Sequence, residues 1–239
     1  MQKNVEKMSL NYSPNFNSKK RRYSNIKYLI FHYTGMRSET GSINRLTDKN
    51  SKVSCHYLIK YNGEIIQIVP DLYVAWHAGI SSWKKDKLLN SSSIGIEISN
   101  PGHDHSYKKF NTRQIKSIIK LSKVLKNRFK IKKENVLGHS DIAPLRKKDP
   151  GENFPWRLLS KKKICLWHNV SDKRCKELRK KKLADSKKFY ELLFNFGYKY
   201  TKNSSQKVKI YKNFQRRFRP QLISSIVDKE CYAILKSLI

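Results

Sequence analysis

The sequence predicts an α/β fold, with a mixed central β-sheet flanked by helices and a small C-terminal three-helix module. Three observations carry this expectation. Short apolar, β-branched runs recur at 28–34, 54–69 and 93–99, which is the pattern of buried strands. One long segment, 111–129, has apolar residues at helical spacing. After Trp167 the composition shifts to charged, helix-forming sequence. With 239 residues, 38% hydrophobic and 11% aromatic, the chain is long and apolar enough to bury a core.

Taken in order, residues 1–22 are polar and end in Lys19-Lys20-Arg21-Arg22, which reads as a basic, mobile arm. Tyr28 opens YLIFHYT, a buried-strand candidate, and 41–47 offers a helical turn or two. SCHYLIKYNGEIIQIV is two strand-like runs about Asn62-Gly63, a strong short-range hairpin signal. SIGIEIS (93–99) is a further strand. In 111–129, Ile115, Ile118, Ile119, Val124, Leu125 and Phe129 form one face, and Asn111 with Gln114 makes a capping box. NVLGHSD is a short strand running into a loop, and IAPLRKKDPGENFPW, with three prolines and a glycine, stays irregular. An α/β domain is therefore expected over 23–168, a basic linker over 169–183 and a helical module over 184–239. Within that module, 186–198, 208–218 and 228–239 are amphipathic, with Gly197 as a C-terminal stop.

Composition narrows the function. No apolar run approaches the roughly 20 residues of a membrane span, which excludes an integral membrane protein. The first 16 residues show no apolar core of a secretory signal. Four cysteines (Cys55, Cys165, Cys175, Cys231) without a C-x-x-C pair are too sparse for a disulfide scaffold and are expected as buried thiols. The net charge is +34, divided as +5 over 1–22, +12 over 23–156 and +17 over 157–239. Such a balance suits a polyanionic partner, whether wall polymer, nucleic acid or membrane surface. It equally suits a lysine-rich compositional drift, and no nucleic-acid motif accompanies it.

Several residues carry chemistry. His32 closes one predicted strand and His139 another, and Asp149 precedes Pro150-Gly151. Strand ends are where sites in open α/β sheets lie. Two histidines and a carboxylate with an open fourth position are the ligand set of a catalytic zinc. The spacing alone leaves open that these are satisfied core residues. Glu97, within Ile94-Gly95-Ile96-Glu97-Ile98, is a lone carboxylate in a strand that reads as buried on both faces. There its pKa would rise, which suits a general base. A solvent-facing glutamate is the other reading. Lys147 and Lys148 stand just before Asp149, either as an oxyanion partner or as solvated loop residues.

FHYTG (31–35), SCHYLI (54–59), AWHAG (75–79), SIGIEISN (93–100) and GHSDIAPLRKKDPG (138–151) occur in that order. Together they resemble the zinc-dependent N-acetylmuramoyl-L-alanine amidases of the AmpD/AmiD type, relatives of the peptidoglycan-recognition proteins. The resemblance covers about 25–168 and implies one zinc held by His32, His139 and Asp149. It further implies Glu97 as catalytic glutamate, Lys147 as the lysine that steadies the oxyanion, and Trp76 and His77 as substrate-groove residues. His56 falls on a structural position, and His103, His105 and His168 match no family site. Cys55 stands where relatives more often carry a small residue.

The implied reaction is hydrolysis of the amide joining N-acetylmuramic acid, or its 1,6-anhydro form, to L-alanine. KNFQRRFRP (212–220) and IVDKECYAILKSLI (226–239) are similar to three-helix peptidoglycan-binding domains, although the glycine usual before the Asp is replaced by Ile226-Val227. A helical bundle that only packs on the catalytic part is the alternative. The implied partners are peptidoglycan or anhydro-muropeptides, with no specific nucleic acid and a monomer as the default state. The binding-like module points to the cell envelope, and the missing signal to the cytoplasm. A non-catalytic recognition protein is the rival function.

Overall fold

The computed structural model describes residues 8–239, and the two longest strands lie side by side in its main sheet. The strands are β1 (Met8–Leu10), β2 (Phe16–Asn17), β3 (Tyr28–Tyr33), β4 (Tyr57–Ile59), β5 (Ile65–Gln67), β6 (Val74–Ala75), β7 (Ser82–Trp83), β8 (Asp86–Lys87), β9 (Ser93–Ile98) and β10 (Val136–Gly138). The helices are α1 (Glu39–Thr47), α2 (Thr112–Phe129), α3 (His139–Ile142), α4 (Trp156–Lys161), α5 (Asp172–Leu178), α6 (Ser186–Phe196), α7 (Ser204–Phe218) and α8 (Lys229–Leu238).

Six strands form one sheet in the order β1-β5-β4-β9-β3-β10. Only β4 and β5 pair antiparallel; the other ladders are parallel, so the sheet is mixed as expected. The antiparallel pair is closed by residues 61–63, with Lys60 N donating to Glu64 O at 2.9 Å and Gly63 N to Lys60 O at 3.0 Å. Gly63 sits at φ +86°, a conformation that glycine adopts without Cβ strain.

Both faces of the sheet are covered, which is why β3 and β9 read as nearly continuous apolar runs. On one face Leu29, Phe31, Ile94 and Ile96 pack with Ile118, Leu121 and Leu125 of α2. That helix starts with the predicted Asn111–Gln114 capping box. On the other face Tyr28, Ile30 and Leu137 share a single core with Phe189, Leu193, Ile210, Phe214 and Leu235. The C-terminal helices and the sheet thus bury one another.

A buried polar knot fastens this second face. The Asp141 carboxylate accepts from Arg217 Nη1, from Tyr198 Oη at 2.6 Å and from the Gly138 amide at 2.8 Å. Arg217 Nη2 donates to Val136 O at 2.9 Å, and the guanidinium lies 4.4 Å from the Trp156 ring centre. Each charge is matched, as burial requires.

Three expectations are corrected. Residues 8–22 are not a free arm. β1 adds to the sheet beside β5, β2 pairs with β6, and Arg21 is buried. Its guanidinium donates to the carbonyls of Asp71, Asn90 and Ser93, tying this segment to the start of β9. The arm's first seven residues lie outside the described residues. The linker 169–183 contains α5, capped by Ser171 and held by buried Cys175 and Leu178. The segment 184–239 holds three helices, α6 to α8, and α5 is an additional one before them. His139 opens the helical turn α3 rather than a loop. All four cysteines are buried and free. Among the described residues, no helix is long and apolar enough to cross a membrane.

Candidate active site

Strand register builds the site. His32 and Glu97 are direct partners across β3 and β9, and Gly138, the last residue of β10, pairs with Phe31. His32, Glu97 and His139 therefore meet at the carboxyl ends of three parallel strands, where open α/β sheets place their sites. The loop after α3 returns Asp149 to the same point.

His32 Nδ1, His139 Nδ1 and Asp149 Oδ2 form a nearly equilateral triangle. The nitrogens are 2.9 Å apart and lie 3.1 and 3.0 Å from the oxygen. All three residues are buried, and they could hold a metal ion. Their outer hydrogen bonds fix which atoms face inward. His139 Nε2 donates to Ala78 O at 3.2 Å, leaving its Nδ1 as a bare lone pair. Ser93 Oγ gives its proton to Leu89 O at 2.6 Å and so accepts from His77 Nε2 at 3.2 Å. His77 Nδ1 is then the acceptor for His32 Nε2–H at 3.0 Å, which leaves His32 Nδ1 unprotonated as well.

Two imidazole lone pairs and a carboxylate oxygen thus converge on one point. They repel unless a cation sits among them, so the donor set fits a metal ion. The outer partners are those that fix ligand orientation in metal sites. Burial, with His139 beside it, lowers the His32 pKa to about 4, so the ring stays neutral at physiological pH.

A cavity of about 690 Å³ opens over this triangle, lined by Glu97, Lys147, Trp76 and His77 along with the ligand-type residues His139 and Asp149. Every site residue singled out in the sequence is therefore brought together. Glu97 Oε2 is buried and has no hydrogen-bond partner among the described residues. Desolvation, aided by the negative charge of Asp149 and opposed by Lys147, pushes the Glu97 pKa well above its ordinary value.

Trp76 is half-buried, and its Nε1 donates to Asn17 Oδ1 at 2.7 Å. His77 is more buried than a groove residue need be, because its ring is also hydrogen-bonded to His32 and Ser93. Its segment is pinned by Asn90 Oδ1, which accepts from the His77 and Ala78 amides. Arg146 donates to the Ala78 and Ile80 carbonyls. Asn90, Ser93 and Arg146 were not foreseen, since nothing in their local sequence announces partners so distant in the chain. Lys148 also lines the cavity. His56 is structural as expected, accepting from the Gly95 amide at 3.0 Å. His105 lines the cavity, and His103 pairs with Glu152 at 3.0 Å.

The His77 ring lies flat over β9. A Cβ added at Gly95 would come 2.4 Å from His77 Cγ, so Gly95→Ala must displace the ring and release His32 Nε2. The expected result is a folded protein whose metal affinity is lower by about 10–100-fold, read by competition with a chromogenic chelator. Unchanged affinity would remove His77 as the residue that orients His32.

Comparison with known proteins identifies the family. The sequence profile of the N-acetylmuramoyl-L-alanine amidase family (Amidase_2) matches residues 22–152. The chain is 38% identical over 233 residues to the N-acetylmuramoyl-L-alanine amidase AmiD of Escherichia coli, covering 91% of this chain and 83% of that one. The solved complex of E. coli AmiD with anhydro-N-acetylmuramic acid-L-Ala-D-γ-Glu-L-Lys superposes with a TM-score of 0.81 at 36% identity, covering 93% of this chain and 91% of that one. AmpDh3 of Pseudomonas aeruginosa, bound to an anhydromuramic pentapeptide, gives 0.80 at 29% identity, with 94% and 95% covered. A strand-end triangle beside a partnerless carboxylate, on a fold shared nearly end to end with these enzymes, places the chain in the N-acetylmuramoyl-L-alanine amidase family.

Proposed function

We propose that this chain is a zinc-dependent amidase that hydrolyses the bond between N-acetylmuramic acid, or its 1,6-anhydro form, and the L-alanine of a peptidoglycan stem peptide. The observation that carries this reading is the pairing, in one cavity, of the His32–His139–Asp149 triangle with the buried, partnerless Glu97 oxygen. The triangle's edges are close to the roughly 3.3 Å separating ligands about 2 Å from a tetrahedral zinc. His32, His139 and Asp149 would hold the ion, which when bound supplies Lewis acidity toward the scissile carbonyl and acidifies the attacking water.

The remaining chemistry belongs to the chain. Glu97, its basicity raised by desolvation, takes the proton of the attacking water and returns it to the departing L-alanine amine. Lys147, at the cavity wall, provides a positive charge where the carbonyl oxygen becomes anionic. Asp149 brings the one carboxylate among the three ligand-type residues. Trp76 contributes an apolar face to the groove, and the His77 ring orients His32 from below.

The test is mass spectrometry of anhydro-muropeptides and of purified sacculi after incubation with the zinc-loaded protein, with a chelator control. Free stem peptides beginning with L-Ala, lost on chelation, are expected. The faster substrate distinguishes action on intact wall from action on recycled fragments. Cleavage of neither, with zinc bound, overturns the reading in favour of a recognition protein.

The pH dependence has a definite sign. Because the Glu97 pKa is raised, the base is protonated, and idle, at pH values where an ordinary glutamate is already ionised. kcat/KM is therefore expected to fall on the acid side with a midpoint above the ordinary glutamate value. A plateau extending unbroken down to about pH 4.3, the free glutamate pKa, would exclude Glu97 as that base.

A further inference from the structure

The loop joining the two ligand-type residues His139 and Asp149 has little structure of its own. After α3, residues 144–146 form a turn and 147–148 are irregular, and among the described residues no backbone amide donates to the carbonyls of Pro144 or Lys147. Both carbonyls are instead taken by one side chain from another part of the molecule. Asn213 of α7, 2% exposed, donates through Nδ2 to Pro144 O at 2.8 Å and to Lys147 O at 3.0 Å. Its own Oδ1 accepts from Arg216 Nη1 at 2.9 Å, so all its hydrogen-bonding atoms are engaged and its rotamer is fixed. One turn further on, Arg217 holds Asp141, two residues after His139. Arg216 also reaches Glu152, just past Asp149, at 3.4 Å. Three residues of α7 therefore grip the 139–152 segment at its start, middle and end.

We propose that α7 belongs to the catalytic apparatus. Asn213 and Arg217 are positioning residues that hold His139, Lys147 and Asp149 in mutual register. The physical reason is the length of the loop. Nine residues lie between the two ligand positions, and an irregular segment of that length samples many conformations unless its backbone is pinned. One donor on each of the Pro144 and Lys147 carbonyls fixes the backbone from which the Lys147 side chain reaches the cavity. The C-terminal helices then serve hydrolysis of any substrate, soluble fragments included, and not only attachment to a polymer. The inference rests on the proposed amidase reading for its kinetic readout, but not for its structural one.

The test uses the full chain carrying Asn213→Asp, which keeps the shape and removes both donors, and Asn213→Ala as a second variant. Lys209→Ala on the exposed side of α7 is the control. Four quantities are read: kcat and KM on a soluble anhydro-muropeptide, zinc release to excess chelator, backbone amide exchange over 139–149 against exchange over α2, and Tm. The expected result is a drop in kcat and a faster zinc release, each about tenfold or more, with KM little changed. Exchange should rise over 139–149 while α2 stays protected.

Wild-type values in a folded Asn213 variant overturn the proposal. So does a uniform rise in exchange across loop and α2 with a lowered Tm, which is what a merely structural contact would give. If the unmodified protein hydrolyses nothing, the amidase reading fails by itself, and the exchange comparison still decides the role of Asn213.

Discussion

Glu97→Gln is expected to reduce turnover by about 10²–10⁴-fold, the usual share of a general base, while leaving bound zinc unchanged. Glutamine keeps the shape of the side chain but cannot accept the proton of the attacking water. Glu97 touches none of the three ligand atoms through a hydrogen bond, so their triangle should survive.

The same substitution has a second, opposite consequence. A carboxyl whose pKa is raised by folding binds its proton more tightly in the native state. Its contribution to stability therefore becomes unfavourable as pH rises above the unfolded glutamate value and through the raised native one. Measured on metal-free protein near neutral pH, Glu97→Gln should raise Tm. An inactive and more stable variant is the signature of a residue kept for function at the expense of stability. Activity above a few per cent of wild type, or lost zinc, would remove Glu97 from the proposed role.

Asp149→Ala should abolish activity by a different route. It deletes the one anionic member of the triangle, leaving two neutral imidazoles to hold a dication. If the roughly 10–16 kcal/mol by which small protein sites bind zinc is divided evenly among four ligands, losing one costs about 3 kcal/mol, more than a hundredfold in affinity. Metal analysis after dialysis against a mild chelator should find the variant empty and the wild type loaded. Retained zinc with lost turnover would make Asp149 a participant in proton transfer rather than a ligand. The pair of variants separates the two failures, since Glu97→Gln keeps the metal and Asp149→Ala does not.

Much of the site was readable because it lies at the ends of apolar runs. YLIFHY and SIGIEI declare themselves as buried strands, so His32 and Glu97 could be assigned to strands from pattern alone. That they face each other could not, because register between strands 60 residues apart is a tertiary fact. The resemblance supplied what periodicity lacked, naming both carboxylates and Lys147 before any geometry was known.

The failures share one physical cause, which is long-range satisfaction of polar groups. Arg21 sits in a run of four cations that reads as solvated, yet it is buried because three distant carbonyls need a donor. α5 was missed because only Cys175 and Leu178 mark its apolar face, although Ser171 followed by Asp172 is an ordinary helix start. His77 gave no sign that it would lie against His32, nor Asn213 that it would serve a loop some 70 residues earlier. Side-chain partners of this kind leave no periodicity to read.

The guanidinium that reaches Val136 O has one more consequence. β10 is the last strand on its side of the sheet, and an outer strand ordinarily offers its carbonyls to any passing chain. Here the Val136 carbonyl is already bonded to Arg217, and the aromatic face of Trp156 lies against the same cation. A border closed in this way offers fewer free backbone acceptors to a further strand than a bare outer strand would.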